Sequence, residues 1–117
     1  MKKVYILGTC NTCKRILSEV DSSTMEVQDV KKQALTVEEV EQLAALSGSY
    51  ESLINRRATK YKEQGLKDKN LTEEEYKALL LEHYTFLKRP VFVLEDTIFV
   101  GNAKKTVEAL KGYLSNA

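Results

Sequence analysis

The stretch that decides the fold is Gly8-Thr9-Cys10-Asn11-Thr12-Cys13-Lys14-Arg15, which holds both cysteines of the chain. Before it, the β-branched and aromatic run Val4–Leu7 predicts a short buried strand. After it, Ile16, Leu17 and Val20 recur at the spacing of one helix face. The cysteine pair is therefore predicted to lie where a strand turns into a helix.

This position favours a reactive thiol at Cys10. The first amides of a helix have no partner within the helix, and the helix dipole places positive charge there. A thiolate at Cys10 is stabilised by both, so its pKa is expected below that of a free cysteine. Cys13 follows one turn later on the same face, within reach of a disulfide. The spacing predicts that Cys10 attacks and that Cys13 resolves.

Two other interpretations of the pair stay open. A Cys-x-x-Cys motif can be half of a zinc site, but zinc needs two further ligands and the chain offers only His83 besides. No metal is therefore expected. The pair can also be two ordinary buried cysteines of a core, with no chemistry.

Length, composition and net charge limit the classes to which the protein can belong. The 117 residues predict one domain, and 43% apolar with 30% charged residues is an ordinary globular mixture. The net charge of +1 gives no electrostatic case for direct nucleic-acid binding. No apolar run approaches the length of a membrane span. We expect a cytoplasmic monomer with no membrane partner, in which two cysteines serve transient redox chemistry.

The strands follow from local patterns. The alternating residues 25–30 predict a second strand, and a strand-helix-strand unit requires a parallel crossover. Pro90, the only proline, precedes two apolar strands at 91–94 and 97–100 that form a hairpin. A last helix is predicted over residues 104–114.

The residues between the second and third strands are predicted to be helical. Thr36 with Glu39 and Thr72 with Glu75 have the spacing of capping boxes, each opening a helix. Residues 50–55 predict a further short helix.

The resulting order is strand-helix-strand, several helices, then two strands and a helix, which is the thioredoxin-like arrangement. The predicted fold is α/β, a four-stranded mixed sheet with an all-helical insertion between the second and third strands. One domain is expected over residues 1–117, with its core at 1–35 and 85–117 and the insertion at 36–84.

The chain resembles the arsenate reductase family, which includes the Spx-type regulators, over nearly its whole length. Tyr5–Leu17 is similar to the family's nucleophile loop, with Cys10 in the place of the nucleophile. Leu53–Leu66 resembles the arginine segment, and Leu87–Val91 resembles the Arg-Pro segment, in which the proline is cis. Phe99–Gly101 resembles the stretch after the last strand. The order and spacing of these segments make the resemblance specific.

Two departures from the family pattern bear on the substrate. Arsenate reductases that use glutaredoxin carry one cysteine in the loop, whereas this loop holds two, as in Spx-type proteins. Those enzymes also carry a third arginine after the last strand, where this chain has Asn102 or Ala103. The thiol-redox scaffold is therefore expected to be kept, and specificity for arsenate is not.

The resemblance implies a set of site residues. The catalytic ones are Cys10, Cys13 and Arg89, and the substrate-binding ones are Arg57, Arg56, Pro90, Asn11 and Thr12. A guanidinium at Arg89 would lower the pKa of the thiol and offer a fork to an oxyanion. One of Arg56 and Arg57 would face the site, with the Asn-x-Arg pattern favouring Arg57. The alternative for Arg89 is a surface arginine at the end of a strand. The alternative for Arg56 and Arg57 is a solvated basic loop without a binding role.

Two functions follow from the resemblance. The favoured one is an enzyme, a cytoplasmic thiol-disulfide or oxyanion reductase acting on a small oxyanion or a disulfide. It would bind no cofactor, and glutathione, glutaredoxin or thioredoxin would reset its disulfide. The alternative is an Spx-like regulator that contacts RNA polymerase and uses the two cysteines as a redox switch.

Overall fold

The computed structural model describes residues 2–115, so residues 1, 116 and 117 of the predicted domain lie outside the described part. The chain divides into two compact units. The cysteine unit is Met1–Lys32 with Arg89–Ala117, and the helical unit is Gln33–Lys88. Within the described residues, every helix is too short or too polar to cross a membrane.

The described part of the cysteine unit is built on four strands. They are β1 (Lys2–Ile6), β2 (Glu26–Asp29), β3 (Val91–Leu94) and β4 (Thr97–Val100). Their order in the sheet is β2-β1-β3-β4, with β1 parallel to β2 and antiparallel to β3, and β3 antiparallel to β4. The predicted four-stranded mixed sheet of an α/β fold is thereby confirmed.

The strands end at or close to the predicted residues, and each end leads into a turn. β3 and β4 have the predicted bounds, and Glu95 takes a left-handed conformation, with φ of 59°, in the two-residue turn between them. β1 ends at Ile6 rather than at the predicted Leu7, because Leu7 belongs to the turn that leads to Cys10.

Two helices pack with this sheet. They are α1 (Asn11–Glu19) and α5 (Lys104–Ser115). Their buried residues form one apolar cluster with strand residues, and its members are Val4, Ile6, Cys13, Ile16, Met25, Phe92, Leu94 and Leu110. Cys13 is thus a core residue on the inner face of α1, while Cys10 packs at the margin of the cluster.

The helical unit contains three α-helices joined by short 3₁₀ turns. The helices are α2 (Val37–Ser47), α3 (Thr59–Glu63) and α4 (Glu73–Glu82), and the turns are Glu51–Leu53, Leu66–Asp68 and Tyr84–Phe86.

Both predicted capping boxes are present in the helical unit. The Thr36 hydroxyl accepts the Glu39 amide at 3.1 Å, and the Glu39 carboxylate accepts the Thr36 amide at 3.0 Å. Thr72 and Glu75 repeat the arrangement at 3.2 and 3.0 Å. α2 and α4 therefore begin where the sequence predicts, because each box satisfies amides that a helix leaves open.

One predicted helix is shorter than expected. Over residues 50–55 only Glu51–Leu53 form a 3₁₀ turn, and Ile54 is extended. Ile54 pairs instead with Leu87 in an isolated antiparallel bridge, beside backbone hydrogen bonds of 2.7 and 2.8 Å. The regular elements of the insertion are all helical, and the bridge is a single pair of residues.

Candidate active site

A tight turn connects β1 to α1 and carries the first cysteine. The Cys10 amide donates to the Leu7 carbonyl at 2.9 Å, which closes the turn over residues 7–10. Cys10 has an extended backbone and is the N-cap of α1. Its sulfur accepts a hydrogen bond from the Cys13 amide at 3.4 Å. The sulfur thus takes the place that a serine or aspartate oxygen has at most helix starts.

The surroundings of Cys10 stabilise its thiolate. Burial alone raises the pKa of Cys10, but hydrogen bonds from the Cys13 amide, the Cys13 thiol and the Thr12 amide outweigh it. The positive charge of Arg89 acts in the same direction as these bonds. The pKa of Cys10 therefore lies below its usual value, as the sequence predicts.

The pKa of Cys13 is shifted in the opposite direction. Its side chain is fully buried, and burial raises the pKa of Cys13 to about 11. The neighbouring Cys10 contributes to this rise, while a hydrogen bond from the Leu7 backbone and the charge of Arg89 offset part of it. Cys13 stays protonated at neutral pH and can donate its S–H to the Cys10 sulfur. The pair is therefore one thiolate beside one thiol.

Arg89 and Pro90 lie at the start of β3 in the cysteine unit. Arg89 is half-buried, and its charge lowers the pKa of both thiols. The peptide bond between Arg89 and Pro90 is cis, as the resemblance implies. The buried Pro90 accepts a hydrogen bond on its carbonyl from the Gly101 amide at 2.9 Å. This bond ties the loop after β4 to the Arg-Pro segment.

The loop after β4 is where the resemblance places a third arginine. Gly101 turns the chain there with φ of 90°, a value that favours glycine. Asn102 and Ala103 follow, both exposed, before α5 begins at Lys104. Neither residue can supply a planar guanidinium.

The two arginines of the helical unit differ in their contacts. Arg56 pairs with Glu51, which also accepts a hydrogen bond from the Tyr76 hydroxyl at 3.5 Å. Arg57 is exposed, and its backbone amide donates to the Asn55 side chain at 3.1 Å. Within residues 2–115 the Arg57 guanidinium makes no ion pair, so it is the more available of the two for an anion.

The remaining predicted site residues open α1. Asn11 is exposed, and Thr12 is half-buried with its amide directed to the Cys10 sulfur. Among the described residues, no three His, Cys, Asp or Glu side chains come together as a metal site. The ring of His83 hydrogen-bonds the Thr85 hydroxyl at 2.9 Å in the helical unit.

Sequence reasoning missed one pair of residues beside the cysteine turn. The Asp29 carboxylate, at the end of β2, accepts a hydrogen bond from the Gly8 amide. A glycine two residues before a cysteine, at the end of a strand, is the signal that could have drawn attention to a close approach there.

Comparisons with known proteins agree with this architecture. A sequence model of the ArsC family matches residues 5–110. A crystal structure of an ArsC family related protein from Bacteroides fragilis is 30% identical, with a TM-score of 0.78, covering 94% of this chain and 97% of that one. A Staphylococcus aureus protein solved by NMR is 29% identical, with a TM-score of 0.75 and coverages of 93% and 97%.

Arsenate reductase from Vibrio cholerae is 19% identical, with a TM-score of 0.76 and coverages of 93% and 94%, which is a likeness of fold. None of the proteins with a curated function matches the sequence. The family match extends from β1, through the cysteine turn and the Arg-Pro segment, into α5. The chain therefore belongs to the ArsC family and has its thioredoxin-like fold.

Proposed function

We propose that the protein is a thiol-dependent reductase in which Cys10 is the nucleophile and Cys13 the resolving thiol. The observation that carries the proposal is the contrast between the two neighbours: the pKa of Cys10 is lowered and that of Cys13 is raised to about 11. Exchange begins with a thiolate, so this contrast supports an order in which Cys10 acts first and Cys13 second.

With a disulfide substrate the first step is an attack of the Cys10 thiolate on one substrate sulfur. The substrate S–S bond breaks, one half leaves as a thiolate, and the other half stays on Cys10 as a mixed disulfide. Cys13 then loses its proton, which passes to the departing thiolate or to water, and attacks the Cys10 sulfur. The second half leaves, and the protein holds a Cys10–Cys13 disulfide while the substrate has gained two electrons.

An oxyanion such as arsenate would follow the same order. The Cys10 thiolate bonds to the central atom, and an arsenate hydroxyl takes a proton from the solvent and leaves as water. When Cys13 attacks the Cys10 sulfur, the S–As bond breaks and its electron pair reduces arsenic(V) to arsenic(III). Arg89 beside the thiols would bind the anion, and Asn11 and Thr12 would border it. From the family resemblance we also assign an anion-binding role to Arg57 or Arg56. We place Pro90 with these substrate-binding residues from the family resemblance.

The cycle needs an external reductant. Two electrons must return to the Cys10–Cys13 disulfide, and glutathione, glutaredoxin or thioredoxin would supply them. We place the protein in the cytoplasm, because a reducing compartment returns such a pair to the dithiol after each turnover.

The test is turnover of a small disulfide, with glutathione and glutaredoxin in one assay and thioredoxin in another. We expect Cys10→Ser to abolish turnover. Cys13→Ser should accumulate a mixed disulfide on Cys10 that mass spectrometry detects. Turnover that survives Cys10→Ser would overturn the proposal.

An Spx-like regulator is the second candidate, and the presence of two cysteines in the loop favours it. Oxidation would join the N-cap residue of α1 to the core residue Cys13, so the start of the helix would change with redox state. A pull-down with RNA polymerase, on reduced and oxidised protein, tests it. Redox-dependent capture by wild type but not by Cys10→Ser supports the regulator; equal capture in both states counts against it.

A further inference from the structure

We propose that Asp29 is a positioning residue for Cys10: its carboxylate holds the turn of residues 7–10 so that the Cys10 sulfur faces the first amides of α1. This inference rests on the nucleophile assignment above and adds a residue to it. It concerns the cysteine unit alone.

The sheet places Asp29 next to the turn. β1 and β2 are parallel, so their carboxyl ends meet at one edge, with Ile6 opposite Asp29. The Val30 amide donates to the Ile6 carbonyl at 2.9 Å and continues the pairing past the end of β2. The turn begins at Leu7, directly after Ile6, so the Asp29 side chain lies beside its first residues.

The carboxylate is held from both sides. One oxygen accepts the Lys31 amide at 3.0 Å, and the carboxylate also accepts the Gly8 amide. Burial alone raises the pKa of Asp29, but these hydrogen bonds and the charge of Lys32 outweigh it and lower the pKa. Asp29 is therefore an ionised acceptor at neutral pH, and charged acceptors make the stronger hydrogen bonds.

The absence of a side chain at Gly8 allows this contact. A Cβ at residue 8 would lie 2.4 Å from one Asp29 carboxylate oxygen and 3.4 Å from the carboxyl carbon. Any other residue would push the carboxylate away from the amide it accepts. The glycine is required here by close approach, since its φ is not in the left-handed region.

The contact between Asp29 and Gly8 can influence Cys10, because both Gly8 and Cys10 belong to the turn of residues 7–10. Gly8 follows Leu7 in the turn, and the Leu7 carbonyl accepts the Cys10 amide at 2.9 Å. Cys10 then caps α1 through its sulfur, which accepts the Cys13 amide at 3.4 Å. Releasing Gly8 loosens the turn and with it the alignment of the sulfur on the helix amides.

Positioning and charge predict opposite results, which makes the inference testable. Removing a nearby negative charge, by itself, makes a thiolate easier to form and lowers the pKa of Cys10. Losing the alignment with the helix amides raises it. The sign of the change in Asp29→Ala therefore separates the two.

The experiment measures the rate of alkylation against pH in the Cys13→Ser protein, where Cys10 is the one thiol. We expect Asp29→Ala to move the midpoint up toward that of free cysteine, about 8.5. Alkylation at neutral pH should fall by about tenfold if the midpoint rises by about one pH unit. Asp29→Asn keeps an oxygen acceptor without the charge, so its midpoint should stay at the parent value or below it.

Gly8→Ala provides a second variant that keeps the carboxylate but displaces it. It should raise the midpoint as Asp29→Ala does, and the double variant should rise no further than either one. If Asp29→Ala does not fold, Gly8→Ala with Asp29→Asn decides the question. Asp21→Ala is the matched control, because Asp21 accepts the Ser23 amide at 3.1 Å in a similar local turn away from the cysteines. It should leave the midpoint unchanged.

The outcomes separate this inference from the proposed function. A parent protein whose midpoint equals that of free cysteine overturns the nucleophile assignment, and the role of Asp29 with it. A low midpoint in the parent that Asp29→Ala and Gly8→Ala leave unchanged, or lower, overturns the role of Asp29 alone.

Discussion

The amide nitrogen of Cys13 lies 3.4 Å from the sulfur of Cys10, so the proposed resolving residue also stabilises the thiolate of the proposed nucleophile. The Cys13 thiol also lowers the pKa of Cys10, but the amide acts whatever the side chain is. Replacing the Cys13 side chain therefore leaves the amide in place, and the two roles of the residue can be measured separately.

The first prediction concerns the two thiols taken singly. In Cys13→Ser, alkylation of Cys10 should have a midpoint below about 8.5. In Cys10→Ser, Cys13 should react slowly until the pH approaches the value of about 11 to which burial raises its pKa. Rate profiles against pH on the two proteins check this, and coinciding midpoints would contradict it.

A second prediction concerns stability at high pH. The pKa of Cys13 is higher in the folded protein than in the unfolded chain, so the unfolded chain loses the proton first as pH rises. The stabilisation is complete below the unfolded pKa and is lost between about pH 9 and about pH 11. At most about 2–3 kcal/mol is involved.

Chemical denaturation at a series of pH values measures this loss. Cys13→Ala should show a shallower fall in the free energy of unfolding than wild type over the same range. Tyrosine ionisation is common to both proteins and cancels in the comparison. Equal slopes would mean that Cys13 is not held as a buried neutral thiol.

The third prediction concerns oxidation. Mild peroxide should give a monomer that has lost two hydrogens, because the thiol one helical turn away is far more concentrated at Cys10 than any other molecule. Intact-mass spectrometry detects the change, and Cys13→Ser serves as control by forming adducts or dimers through Cys10. A predominant disulfide-linked dimer in wild type, or sulfinic acid at Cys10 beside reduced Cys13, would argue against a resolving role.

Arsenate turnover should be weak compared with family members that have one cysteine in the loop. Each charge-assisted hydrogen bond contributes about 1.5–3 kcal/mol, so a missing arginine can cost about a factor of ten to a hundred in affinity. Asn102→Arg should raise kcat/KM for arsenate, and Asn102→Lys should raise it less because an ammonium lacks the planar fork. Robust turnover in wild type, abolished by Cys10→Ser, would show that the third arginine is dispensable.

The last prediction concerns the helical unit. The Glu73 carboxylate accepts the backbone amides of Tyr50 and Glu51 at 2.7 and 3.1 Å, which joins the start of α4 to the turn after α2. Glu73→Ala should lower the free energy of unfolding by about 1 kcal/mol, since the bonds are charge-assisted but exposed. Glu74→Ala, at the neighbouring exposed position, should change it little. Equal effects of the two substitutions would remove the specific role of Glu73.

Much of the fold could be predicted because its signals are local. The capping box of Thr36 and Glu39 fixes the start of α2 within four residues of sequence, and the hairpin of β3 and β4 is two apolar runs around a two-residue turn. The bridge between Ile54 and Leu87 could not be predicted, because it joins residues from distant parts of the sequence that no local pattern pairs.

The candidate site likewise has one part that the sequence predicts and one part that it does not. The position of Cys10 at the strand-to-helix turn, and the direction of its pKa shift, follow from the stretch itself. The contact of Asp29 with Gly8 does not, because an aspartate after a strand is equally suited to an ordinary turn. Its role depends on the parallel register of two strands, which appears only in three dimensions.

The discontinuity of the cysteine unit has a consequence for biosynthesis. The ribosome makes Cys10 early, but β1 acquires its partner β3 only when Val91 emerges to pair with Tyr5, several seconds later at ordinary rates of translation. Arg89, which helps to lower the pKa of Cys10, arrives in the same late segment. A nascent chain that ends before this segment therefore lacks the antiparallel neighbour of β1 and the Arg89 contribution to the low pKa of Cys10.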